Sequence, residues 1–433
     1  MPYDITVIPA LYFSFGSKCN LILVCAPWKF YQLDSWPLKK MLIGNTLIWF
    51  FVVQLFGFTV GSPGDNLDEF DDCLFQCRQI ACYNNPYHIL QEEYKDIWAT
   101  QDLEYHRYEP LWHFDSSLPW YLKLLLWNCP SNCDYTCQRI ITKERKENHD
   151  EVYQFHGKWP FLRVFGIQEF ASMVFSLCNF IPHYLGYKKI KKTANENPQS
   201  KQILSRAFFN LKLMAVITQM AWIFSAIFHV RDFDITEKLD YYFAGLTVLS
   251  GFYNLGFRYF KLYLHSRRFY GIIFTFLCIA AYAGHIYRLV TDWLYTYNMR
   301  ANIFVGVLQN IFWGLSCYSL YTKYYEEEKE EKSLNLSHLD YVVPGRTILG
   351  KFYKKSPKLY SLYPLMMCFI VICGMALEIF DFPPFFFDLI DAHSLWHLVT
   401  IIPPVMGWYD WLIWDVNENV YKDIKAEIDK KEQ

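Results

Sequence analysis

Five side chains in this sequence are of types that do chemistry, and their spacing groups them. Ser225 and His229 in "WIFSAIFHV" are four residues apart, so on a helix they share a face. Asp240 stands eleven residues beyond His229, where the next apolar run opens. His393 and His397 in "DAHSLWHLV" again share a helix face. Three histidines with an open fourth position are the donor set of a catalytic zinc site, in which the metal lowers the pKa of bound water toward about 7. Each piece alone has a plainer explanation. A His-x3-His pair tolerates the headgroup region, a serine within a helix is commonly a packing contact, and an aspartate at a helix start caps it. The set acquires meaning only if its elements bring all five groups to one depth on one side of a membrane.

Those elements read as membrane helices. Of 433 residues, 53% are hydrophobic and 20% aromatic, and the apolar residues are clumped. The 41 basic and 43 acidic residues nearly cancel, which leaves no footprint for nucleic acid. No internal repeat, glycine-rich phosphate loop or nucleotide fingerprint is visible. Windows approaching the about 20 apolar residues that span a bilayer fall at 163–185, 207–228, 239–257, 269–289, 302–321, 361–380 and 394–414. The expected fold is an all-α membrane protein, a seven-transmembrane-helix bundle preceded by a disulfide-rich lumenal domain.

Orientation follows from the basic loops. "YKKIKKTANENPQSKQ" follows the first span, Arg258, Lys261, Arg267 and Arg268 follow the third, and eight basic residues follow the fifth. The alternate loops hold only Arg231 and Lys238, then Arg288 and Arg300, then none in "DFPPFFFDLIDA". Odd loops are therefore cytosolic and even loops lumenal. An earlier apolar run, "MLIGNTLIWFFVVQLFGFTVGSPGD", has the layout of a secretory signal peptide cleaved near Gly61, with Met41 as the favoured start. The expected organisation is an extension at 1–40, a signal peptide at 41–61, a cysteine-rich lumenal domain at 62–160, the bundle at 161–415 and a cytosolic tail at 416–433. In this orientation Ser225, His229, Asp240, His393 and His397 converge on one lumenal leaflet from three helices. Ionisable groups at such a depth are costly and face a bundle interior or a wet cavity. His285 is a further candidate, as a group supporting the site. His265 and His338 fall on the cytosolic side.

The lumenal domain holds Cys73, Cys77 and Cys82, then Cys129, Cys133 and Cys137. Neighbours on one helix stripe point the same way, so bridges are expected between the trios. Zinc is the competing use of these thiols, and an oxidising lumen favours disulfides. His156 in "FHGKWPF" reads as a structural loop histidine.

On these residues the sequence resembles a known superfamily. Ser-x3-His, an aspartate eleven residues on and a late His-x3-His are similar to the pattern of the CREST superfamily of seven-span membrane hydrolases. That group includes alkaline ceramidases and the adiponectin and progestin receptors. "GSPGD", the two cysteine trios, "FHGKWPF", "FSAIFHVRDFDITEKLDYY" and "YTYNM" narrow the resemblance to the post-GPI attachment to proteins factor 3 family, over about residues 58–420. The resemblance implies an acyl-ester hydrolase with GPI-anchored proteins and membrane lipid as its partners. It would remove the sn-2 acyl chain of the anchor's lipid before reacylation, with roles for Ser225, Asp240, His229, His393 and His397. The terminal "KKEQ" resembles a dilysine retrieval signal, consistent with a Golgi or endoplasmic reticulum membrane.

The chemistry expected at the site is hydrolysis by a zinc-activated water. His229, His393 and His397 are the metal ligands, Asp240 the proton acceptor, and Ser225 the donor to the developing oxyanion. A covalent Ser/His/Asp triad is the rival, and it leaves two histidines unexplained. A lipid receptor built on the same zinc site, or a non-enzymatic escort for GPI-anchored proteins, are the alternatives from other classes.

Overall fold

The computed structural model of the chain describes residues 62–83, 112, 114, 117–196, 203–333 and 356–432, all within one compact unit, Phe58–Gln433. The expected extension at 1–40, the signal peptide at 41–61 and His338 lie outside the described residues. Among the described residues there is no strand, and three isolated bridges close tight turns.

Near the amino terminus, α1 (Asp68–Cys77) runs into a π-helical turn, Arg78–Cys82, and lies antiparallel to α2 (Cys129–Glu147). Three disulfides join them: Cys73–Cys137, Cys77–Cys133 and Cys82–Cys129. Bridges between the trios are what the stripe argument requires. The register has one irregularity, because the cysteines of α2 recur every four residues whereas Cys82 is five beyond Cys77. The π turn absorbs the extra residue: the Tyr83 N–H donates to the Arg78 carbonyl at 3.0 Å, five residues back. All three bridged pairs thus keep Cα separations of 5.5–5.6 Å. Helix α2 starts at a capping box in which the Asn128 side chain and Ser131 satisfy each other's backbone N–H.

The bundle is formed by α3 (Phe170–Glu196), α4 (Ser205–Val230), α5 (Asp234–Tyr259), α6 (Arg268–Thr291), α7 (Tyr295–Ser333) and α8 (Tyr363–Ile379). It is closed by the short helices α9 (Ala392–Thr400), α10 (Ile402–Met406) and α11 (Trp408–Asp415). Each expected span overlaps helical structure, the first only from Phe170 onward. Four described segments are long and apolar enough to cross a membrane: Ser205–Val230, His265–Thr291, Tyr295–Glu330 and Pro357–Ile379. The other three are diluted by polar or helix-breaking residues. Helix α3 contains Pro182 and buries Ser172, Ser176 and Asn179, and α5 opens on Asp234 and Glu237. The last expected span, 394–414, is not one helix. Pro403 and Pro404 supply no N–H to an α ladder, and Gly407 takes a left-handed φ of 107° that ends α10.

Close packing positions the elements that carry the histidines. A Cβ on Gly374 of α8 would come within 2.5 Å of Val399 and 3.2 Å of Trp396, so glycine lets α8 lie directly on α9. At the far end of the bundle, Arg258 of α5 makes a bidentate ion pair with Asp415 of α11, at 2.5 and 2.8 Å. Beyond α11, the last helix among the described residues is α12 (Tyr421–Glu432).

Candidate metal centre

Two helix ends bring the three histidines together. Ser225 and His229 are both buried in the last turns of α4, with His229 only 1% exposed. His393 and His397 lie on α9, whose start is fixed by a capping box between Asp391 and Ser394. One donor atom from each of His229, His393 and His397 lies within 4.8 Å of the others. Their ring centroids are 4.6–5.4 Å apart.

Each imidazole is held through Nδ1. The His229 Nδ1 meets Glu169 Oε2 at 2.7 Å, that of His393 meets Glu378 Oε2 at 2.8 Å, and that of His397 meets Ser176 Oγ at 3.0 Å. This leaves Nε2 of each ring as the donor to the shared space. The Nε2 of His229 is buried and without a hydrogen-bond partner, an orphan that a metal ion would satisfy. Carboxylate-backed histidines are the usual support of a metal ligand, because the partner fixes ring orientation and raises basicity. The residues therefore fit a divalent metal that takes three imidazoles.

The supporting groups are themselves tied down. The Glu169 N–H donates to the His229 carbonyl at 3.0 Å, so the segment before α3 clasps the end of α4. Its carboxylate also receives the Lys158 ammonium at 2.6 Å, and Lys158 reaches Asp232 at 3.0 Å and lies over the Phe228 ring. Lys158 closes the tight turn Phe155–Lys158, and the His156 N–H in that turn bonds Asp65 just before α1. A continuous path of contacts therefore leads from the disulfide domain to a histidine of the site.

Ser225 and Asp240 reach the same place. Ser225 Oγ lies 3.2 Å from Ser176 Oγ, and Asp240 of α5 lies near Ser225, His229 and His393. All five residues expected from the sequence thus meet at one site. His285 does not: its Nδ1 lies 3.4 Å from Tyr297, and its ring faces Gly245 and Asn302 between α5, α6 and α7. His156 pairs with Asp134 at 2.9 Å and Asp65 at 3.3 Å, and the Asp134 hydrogen bond raises its pKa from the ordinary value. A second cluster of potential ligands, Cys82, Cys129 and Cys133, is consumed in disulfides.

Sequence reasoning passed over Glu169, Glu378 and Ser176. Glu378 had a signal, being the one carboxylate in the apolar run "LMMCFIVICGMALEIF". Ser176 and Glu169 had weaker ones, a polar residue inside the first span and an acid six residues into its window.

Comparison with known proteins places the chain. The profile of the Per1-like family matches residues 119–416, which takes in all three histidines. The chain belongs to the Per1-like family. It is 42% identical to Protein PER1 of Saccharomyces cerevisiae over 82% of this chain and 91% of that one. The PER1 homolog of Schizosaccharomyces pombe is 32% identical, over 84% and 90%. A protein of Mus musculus named GPI-specific phospholipase A2-like PGAP3 is 28% identical, over 80% and 87%. No solved structure gives a significant match.

Proposed function

We propose that this Per1-like chain hydrolyses the sn-2 acyl ester of the lipid on GPI-anchored proteins, releasing a fatty acid and leaving a lyso-lipid anchor. The observation that carries the reading is the convergence of His229, His393 and His397, each held through Nδ1 so that Nε2 faces a common space. The names borne by its relatives, among them a GPI-specific phospholipase A2-like protein, supply the substrate class.

The three Nε2 atoms would hold zinc. Bound there, the metal would supply an acidified water and polarise the ester carbonyl. Asp240, beside His229 and His393, accepts the proton that the attacking water gives up, and returns it to the departing alkoxide. Ser225, whose hydroxyl lies 3.2 Å from Ser176 Oγ, donates to the oxyanion as it develops. Glu169, Glu378 and Ser176 hold the imidazoles in place.

In this reading the bundle crosses the membrane seven times with the disulfide domain and the site lumenal and α12 cytosolic, in the Golgi or endoplasmic reticulum. The basic-loop bias supports that orientation. The experiment that tests the function is metal analysis and lipid hydrolysis by purified protein, with and without chelator. Stoichiometric zinc with chelator-sensitive release of fatty acid from a GPI-anchored substrate is the expected result. Bound zinc without turnover would transfer the site to a lipid receptor. Full turnover by metal-free protein would reject the mechanism.

A further inference from the structure

A second site lies at the opposite end of the bundle from the histidines. His229 is at the end of α4, whereas Arg206 is at its start, some 35 Å away at about 1.5 Å per residue. There the feet of α4 and α6 and the face of α12 enclose a groove of about 290 Å³. Its lining includes the cations Arg206, Arg268 and Lys431 against one carboxylate, Glu427. That carboxylate is engaged by backbone, accepting from the His265 N–H at 2.8 Å and the Ser266 N–H at 2.7 Å. Among the described residues, Arg206 and Arg268 form no ion pair.

One helix terminus adds to the positive field: Arg206 is the second residue of α4, a helix of 26 residues whose amino-terminal N–H groups and dipole open at this end, whereas the turn before α6 already holds Glu427. The surroundings are apolar. Phe209, Phe269 and Tyr270, close in sequence to the two arginines, are 58%, 69% and 64% exposed on the outer surfaces of these helices. Both helices are among the segments long and apolar enough to cross a membrane. Cations at the mouth of a groove, with exposed aromatic rings along the same helices, suit a molecule that carries phosphate at one end and acyl chains at the other.

We propose that this groove binds the phosphorylated headgroup of an anionic phospholipid. Its volume is near the lower bound of ligand pockets, about 300 Å³, which fits a headgroup and not a whole lipid. Basic pockets between membrane helices on the cytosolic side take such headgroups. Placement in the cytosolic leaflet rests on the orientation proposed above; binding by purified protein does not, so the two can fail separately.

The test uses full-length protein in detergent and a fluorescent short-chain phosphatidylinositol 4-phosphate, followed by anisotropy. Saturable binding is expected, weakened by salt, and reduced at least about tenfold in R206Q/R268Q with R206K/R268K largely retaining it. An unchanged thermal unfolding midpoint and size-exclusion profile in the glutamine variant would show that the bundle is folded. Equal binding by R206Q/R268Q, or none by the wild type, would overturn the proposal. Inorganic phosphate competing as well as the unlabelled lipid would mark a free-anion site, and short-chain phosphatidylcholine competing equally would mark a merely greasy one. Either result would overturn the lipid-headgroup assignment.

Discussion

His393 and Glu378 belong to different helices and meet through a 2.8 Å contact between Nδ1 and Oε2. The pairing makes α8 part of the site although it contributes no histidine, and Gly374 is the residue that lets α8 come close enough. Glu378→Gln keeps the shape and removes the charge that supports the ring. Zinc affinity is expected to fall about 10–100-fold, measured by competition with a chromophoric chelator. An unchanged affinity would show that Glu378 serves the fold alone.

Lys158 reaches the site from the disulfide domain. Its ammonium bonds Glu169, which in turn holds His229. Lys158→Met leaves a buried carboxylate without its cation, so protein of normal yield is expected to bind zinc more weakly, while Lys158→Arg restores binding. Equal zinc affinity in the methionine variant would uncouple the domain from the site.

The junction between domain and bundle should respond to pH in two ways. His156, whose pKa the Asp134 hydrogen bond raises with help from Asp65, stabilises fully below its ordinary 6.5 and loses this as pH rises through the raised value. Asp388 in the loop after α8 is pushed up by burial, but Lys146 and Arg139 of α2 hold its pKa below the ordinary 3.8. Its contribution is present above 3.8 and is lost as pH falls through the lowered value. Thermal unfolding of the full-length protein should therefore peak between these limits. His156→Gln should flatten the decline that begins above pH 6.5. A profile that His156→Gln leaves unchanged would contradict the assignment.

Much of this arrangement was legible because its signals are local. One histidine pair at helical spacing, a third histidine sharing a face with a serine and an aspartate at the start of the next apolar run announce themselves by interval alone. The cysteine trios likewise predict bridges between them. The order Cys73–Cys137, Cys77–Cys133, Cys82–Cys129 is not local, because it depends on α2 running antiparallel to α1 and on a π turn that repairs a one-residue mismatch. Glu169 and Glu378 were missed for a similar reason: each takes its meaning from a partner 60 or 15 residues away. The broken last span was written in Pro403, Pro404 and Gly407, but a hydropathy window averages over such residues.

Asp240 separates binding from chemistry. Asp240→Asn keeps the shape of the side chain but cannot accept a proton. Hydrolysis should fall by about 10²–10⁴-fold while zinc content stays near that of the wild type. Loss of the metal together with activity would instead make Asp240 a ligand or its support.

His229, His393 and His397 are proposed to form one zinc site that performs ester hydrolysis. The most direct test is zinc content and fatty-acid release measured on the same preparations of wild type, His229→Ala, His397→Ala and the double variant. Each single variant is expected to lose most of its zinc and its activity, since two protein donors remain. The double variant should be hardly worse, as residues acting as a unit are non-additive. Folded His397→Ala protein that released fatty acid from a GPI-anchored substrate at the wild-type rate would contradict this assignment.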